Sequence, residues 1–176
     1  MKPGDAPLVK YFIAVLFSDD VALERALAGC EAAFGDIDYQ SEPFPFNITR
    51  YYDKEMGPKL SRQFVSFVDL ASAGNLGIYK AATNSVEEKL ARNGNRTVNL
   101  DIGYLDFDKV VLASAKPNWQ KIFISDGFYA DLTLYFRKGK WHPFEWSFPD
   151  FKQPTYYSVF HELRNRYKNQ IKSLEK

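Results

Sequence analysis

One cysteine and two histidines leave this 176-residue chain almost without thiolate or imidazole. Cys30 has no second cysteine to pair with, so an intrachain disulfide is excluded, as expected of a cytosolic protein. His142 and His161 stand nineteen residues apart, and no CxxC, HxH or HExxH occurs. The four nitrogen or sulfur ligands of a structural zinc site are therefore not available, and no metal site is expected from these residue types. GxSxG is absent, and neither histidine has an obvious serine partner for nucleophilic catalysis. There is no GxxxxGK[ST] and no GxGxxG, so no standard backbone cradle for phosphates. The longest apolar run, residues 11–17, falls far short of the roughly 20 residues that cross a bilayer. Nor is there an excess of one charge: the net charge of +1 argues against a dedicated nucleic-acid or membrane binder. The N-terminal MKPGDAPLVK lacks signal-peptide architecture, with Pro3, Gly4, Asp5 and Pro7 interrupting any apolar helix. A cytoplasmic protein is expected, with residues 1–8 a flexible start to a single domain over residues 1–176.

What the chain has in surplus is aromatic rings, 16% of its residues, with fifteen Phe and eleven Tyr. Tyrosines join an apolar body to a polar tip, so a surplus suits either a dense core or a groove that also needs hydrogen bonds. Charge is unevenly spread: residues 1–47 hold three bases and eight acids, residues 152–176 six bases and two acids. Residues 9–17 (VKYFIAVLF) are apolar on both alternating sets, which predicts a central strand buried on both faces. Ser18, Asp19 and Asp20 offer helix N-caps, Leu23, Leu27, Cys30 and Phe34 form one stripe, and Gly35 suits a C-terminal cap. A strand over residues 37–46, broken by Pro43 and Pro45, and another over residues 62–68 come next. A helix over residues 76–92 and a strand over residues 97–102 complete a βαββαβ order. The second half reads as strands at residues 109–115, 121–125, 128–137 and 141–144, with Asp126-Gly127 a hairpin turn. In the third of these, Phe128, Ala130, Leu132, Leu134 and Phe136 are expected to share one face. Thr155 is expected to cap a last helix carrying Tyr156, Phe160, Leu163, Tyr167, Ile171 and Leu174. The expected fold is α+β: a mixed, largely antiparallel sheet with a ferredoxin-like start, an added β-hairpin region and a C-terminal helix packed on the sheet.

Residues 41–67 (SEPFPFNITRYYDKEMGPKLSRQFVSF) interrupt this regularity with six aromatics, three acids and four bases, and no hydrophobic period survives over residues 47–61. A long, aromatic-rich connector of this kind is expected to be ordered and functional. The runs SEPFPFNITRYYDKEMG and RQFVSF, with NLDIGYL, KVVLAS, GFYADLTL and EWSFPDF, resemble a prokaryotic family of uncharacterised proteins known as domain of unknown function 4416. The resemblance runs from about residue 10 to the end, with Ile102 standing where proline is expected. It implies no established activity. A GTP-binding label attached to some members finds no support in the standard motifs above.

The polar residues that converging elements could bring together are Arg50, Tyr51, Tyr52, Glu55, Arg62, Asn99, Asp101, Tyr104 and Lys116. Arg62 and Lys116 suit a carboxylate or phosphate, while Asp101 and Glu55 suit a general base or a magnesium ligand. The alternatives are structural: Arg62 pairing with Asp101 inside the fold, Tyr51-Tyr52 plugging a core, Asn99 serving strand-end backbone groups. A second aromatic cluster, Trp141, Trp146, Phe148 and Phe151, either walls the same cleft with Asp150 adding an acid, or straps the last helix to the sheet. The expected function is binding of, or action on, a small anionic ligand, phosphorylated or nucleotide-like. RNA binding through Tyr129, Tyr135 and the stripe Arg164, Lys168 and Lys172 is an alternative, and partner binding or oligomerisation through exposed aromatics another.

Overall fold

The computed structural model describes residue 4 and residues 6–174. The strands are β1 (Leu8–Phe17), β2 (Ile37–Gln40), β3 (Phe44–Phe46), β4 (Leu60–Phe67), β5 (Ala71–Ser72), β6 (Val98–Leu105), β7 (Lys109–Ser114), β8 (Ile122–Ser125), β9 (Phe128–Arg137) and β10 (Lys140–Pro143). The helices are α1 (Asp20–Phe34), α2 (Asp53–Met56), α3 (Leu76–Leu90) and α4 (Tyr157–Leu174). Half of the expected flexible start, residues 1–3 and 5, lies outside the described residues, and Leu8 already belongs to β1.

The protein is α+β. Its sheet runs β10-β9-β7-β6-β1-β4-β2, with β3 beside β4, β5 beside β1 and β8 beside β9. Every pairing among the described residues is antiparallel, so the parallel component of the expected mixed sheet is not present. The reason is the crossover pattern: α1 returns β2 parallel to β1 but with β4 between them, and α3 returns β6 parallel to β4 with β1 between. Among the described residues no helix is long and apolar enough to cross a membrane.

Both faces of β1 are covered, as its doubly apolar pattern requires. Val9, Tyr11, Ile13, Val15 and Phe17 join Val65, Phe67, Leu100 and Ile102 in a core under α1 and α3. Phe12 and Ala14 face the other way, with Phe64, Leu105, Leu112 and Leu134, beneath Phe160, Leu163 and Tyr167 of α4. Asp19 caps α1 by accepting from Ala22 N at 2.9 Å, and Gly35, at φ 89°, ends it. Cys30 is fully buried on the α1 stripe, and burial pushes its thiol up to about 12. It is a core residue.

Two sequence expectations need correction. Thr155 does not cap α4; it lies inside a 3-10 turn, Pro154–Tyr156, that Gln153 precedes. The single apolar face of β9 is also broken. Register shifts between Val110 and Val111, which pair with Leu134 and Leu132 and leave Thr133 as the extra residue of a bulge. Ala130 and Leu132 therefore pack towards α1 and α3, while Leu134 and Phe136 pack towards α4.

Candidate functional site

β6 and β7 leave their turn as a hairpin but stay paired only from Leu105/Val110 to Gly103/Leu112. Beyond that point β6 continues against β1 as far as Val98, and β7 against β9 as far as Ser114. Between them the sheet splits. Gly103 stands at the fork, where a Cβ would meet Val111 O at 2.5 Å and Leu112 Cδ2 at 2.7 Å. The exposed edge of β6 is not left bare. Leu100 N–H donates to Glu87 Oε1 at 2.5 Å, and Leu100 O accepts from Lys80 Nζ at 3.1 Å. Two buried α3 side chains thus stand in for the missing strand, as buried backbone groups demand.

The split holds a cavity of about 530 Å³, lined by Lys80, Asn84 and Glu87 of α3, Asn99 and Asp101 of β6, and Lys121 and Asp131 beyond β7. A second cavity of about 320 Å³ is walled by Phe46, Ile48, Phe148 and Phe151, with Arg62 and Asp150. Tyr51, Tyr52, Asp101, Lys116 and Phe148 line both, so the two adjoin. At the mouth, Lys116 Nζ donates to Tyr51 Oη at 2.7 Å and lies 4.6 Å from the centre of its ring. That hydrogen bond lowers the Tyr51 hydroxyl from its ordinary value.

Arg62 reaches across β1 to make the inner contacts. Its Nη1 donates to Ala14 O at 3.0 Å and to Asp101 Oδ2 at 2.7 Å, and its Nη2 to Asp150 Oδ2 at 3.1 Å. Burial works against ionisation of Asp101, yet Arg62 and Lys80 hold its carboxyl below the ordinary value. Asp150 goes the other way: burial raises it despite Arg62. Burial likewise raises Tyr52, with the Asp101 charge adding to the effect.

A second arginine ties down the roof. Arg96 forms a fork with Glu55 of α2, Nε to Oε1 at 2.7 Å and Nη2 to Oε2 at 2.8 Å, and its Nη1 donates to Asn99 Oδ1 at 2.6 Å. The fork with Arg96 lowers Glu55, which anchors α2. Three buried polar atoms near the cleft have no hydrogen-bond partner: Arg62 Nε, Asn99 Nδ2 and Asp131 Oδ1.

Of the residues singled out in the sequence, the fold gathers Tyr51, Tyr52, Arg62, Asn99, Asp101 and Lys116 around the two cavities. Arg50 lines neither and is exposed. Tyr104 also lines neither; it faces the helix side, 5.8 Å from Tyr11 ring to ring. Among the described residues no three of His, Cys, Asp and Glu come together as metal ligands. The sequence reading passed over Lys80, Glu87, Arg96, Lys121 and Asp131. A signal for the first two was present. Lys80, Thr83 and Glu87 repeat at helical spacing beside the apolar stripe of Leu76, Val86 and Leu90, and all three are buried.

Residues 7–167 match the model of a family described as Domain of unknown function (DUF4416). No curated protein and no solved structure matches the chain.

Proposed function

Because the chain belongs to the family described as Domain of unknown function (DUF4416), which carries no activity to transfer, we propose from geometry alone that it binds a small organic anion in the split between β6 and β7. One observation carries this reading. Asn99 Nδ2 and Asp131 Oδ1 are buried without partners on residues that line one cavity, the Asn99 donor suited to an acid's oxygen and the Asp131 oxygen to a ligand hydroxyl or N–H. An unsatisfied buried polar group costs about 1–3 kcal/mol, and a ligand that satisfies it recovers that cost. Lys116 adds the charge. It lines both cavities and, like Lys80 in the larger one, has no carboxylate partner among the described residues, whereas Arg62 and Arg96 each have two and Lys121 has one.

The anion is small and of low charge in this reading, one or two negative charges, because acids and bases lining the cleft are balanced and Arg62 already faces two carboxylates. A nucleoside monophosphate, a sugar phosphate or an aromatic carboxylate fits. The reading needs no magnesium: Glu55 is held by both oxygens in the Arg96 fork, and Asp101 already gives Oδ2 to Arg62, which leaves one oxygen. The interleaved order β6-β1-β4-β2 supports a ferredoxin-like start. The RNA reading needs Tyr129 and Tyr135 on one open face of β9, and the bulge at Thr133 turns them to opposite faces.

Thermal-shift screening of AMP, GMP, ribose phosphate and benzoate, followed by calorimetry, tests the proposal. At least one should bind, and Lys116→Ala should weaken it about tenfold. Absence of binding by all four to folded protein overturns it.

A second reading, self-association of two copies edge to edge through β8, is favoured by one observation: Trp119, Ile122 and Phe123 are 80%, 70% and 60% exposed there. Sedimentation over a wide concentration range decides it; a monomer throughout overturns it.

A further inference from the structure

The inner end of the smaller cavity carries the opposite charge to its mouth. Arg62 is a single cation between two carboxylates, Asp101 at 2.7 Å and Asp150 at 3.1 Å. The side chains of Arg62 and Asp150 are 4% and 6% exposed, whereas Asp101 is 29% exposed and lines both cavities. Aromatic rings surround it: Phe46 lies 5.0 Å from the Arg62 guanidinium carbon, and Tyr52 and Phe148 complete the wall. Buried charge needs a partner, and one arginine satisfies only one of the two acids. A negative, aromatic-walled pocket is the arrangement that attracts organic cations.

We infer that this inner end is a subsite for a protonated amine, seated on Asp101 against Tyr52, Phe46 and Phe148. With an anion at Lys116, the ligand is amphoteric, an aromatic or aliphatic compound bearing an amine at one end and an acid at the other. The inference rests on the anion reading above and adds the second charge.

Burial raises the Asp150 carboxyl despite Arg62, and the groups around it are Arg62 of β4, Asp101 of β6, Tyr52 of the roof and Tyr156 of the 3-10 turn.

Calorimetry on the full chain with benzylamine, benzyl alcohol, benzoate and para-(aminomethyl)benzoate tests this. Benzylamine should bind, and the uncharged alcohol of similar shape should bind about tenfold more weakly or not at all. The amphoteric probe should bind more tightly than both benzylamine and benzoate. Asp101→Asn should lower the affinity for benzylamine about tenfold relative to that for benzoate. If that variant misfolds, the comparison of benzylamine with benzyl alcohol on the natural protein decides alone. Benzoate binding with no gain from the aminomethyl group overturns the amine subsite and leaves the anion reading standing. Benzylamine binding without benzoate binding supports the amine subsite and leaves the anion reading to the phosphate compounds. Failure of all four to bind overturns the amine subsite.

Discussion

Replacing Arg62 by alanine strands two carboxylates at once, one of them almost fully buried. Breaking a buried ion pair from one side costs roughly 3–5 kcal/mol, because the remaining charge keeps its desolvation penalty. Arg62→Ala should therefore lose about that much stability in urea denaturation, and Asp150→Asn added to it should recover part of the loss. A fully stable Arg62→Ala protein would contradict the geometry. Glu87 makes a pH-dependent case. Burial raises its carboxyl, against the pull of Lys80 and the Leu100 N–H bond. A group raised in the folded state contributes its full stability below the unfolded value, about 4.3 for glutamate, and loses it as pH rises through the folded value. Glu87→Gln keeps an acceptor for Leu100 N–H and does not titrate. It should gain on the natural protein as pH rises above about 4.3, in urea melts at several pH values. A difference that shrinks with rising pH would refute the assignment.

At the scale of elements, the fork between β6 and β7 depends on a missing methyl group. Alanine at Gly103 would bring Cβ within 2.5 Å of Val111 O and 2.7 Å of Leu112 Cδ2, with Phe12 Cζ at 3.2 Å behind them. Overpacking of this kind costs typically 1–3 kcal/mol, so Gly103→Ala should lower stability by about that much and speed amide exchange at Val111 and Leu112. Unchanged exchange there would show that the strands yield without cost. How far the sequence foretold these elements follows from what sets each of them. β1, α1, α3 and β9 were legible because periodicity and caps are local signals. The gathering of Arg62, Asp101 and Lys116 was legible because each follows an element end or sits on one alternating set. The fork was not, since NLDIGYL and KVVLAS alternate as though fully paired, and only the third dimension shows β7 leaving. Tyr104 fails for a related reason: a bend at Gly103 would turn it into the cleft, yet the strand simply continues and aims it at Tyr11. The bulge at Thr133 has no local mark either.

At the scale of the molecule, α4 closes the second core. Val159, Phe160, Leu163 and Tyr167 are buried on the sheet, and Tyr167 Oη donates to Leu8 O at 2.9 Å, joining the last helix to the first strand. Four such side chains contribute on the order of 6–12 kcal/mol, at about 1.5–3 each, which is comparable to the whole stability of a domain, about 5–15 kcal/mol. A chain cut at Pro154 should give insoluble or molten protein. Sharp, dispersed amide resonances from it would contradict this.

The way the fork is closed at Leu100 also decides what the protein refuses. A bare strand edge inside a cleft is a template on which an extended peptide can add itself as one more strand. Here Glu87 and Lys80 already hold both backbone groups of Leu100, from a helix that packs on the same sheet. A peptide entering the split meets no free donor and acceptor at that residue, and displacing the two side chains would strip the buried Lys80 ammonium of its hydrogen bond and leave Glu87 only Arg96, 3.6 Å away. At Leu100 the split is therefore closed to an added strand.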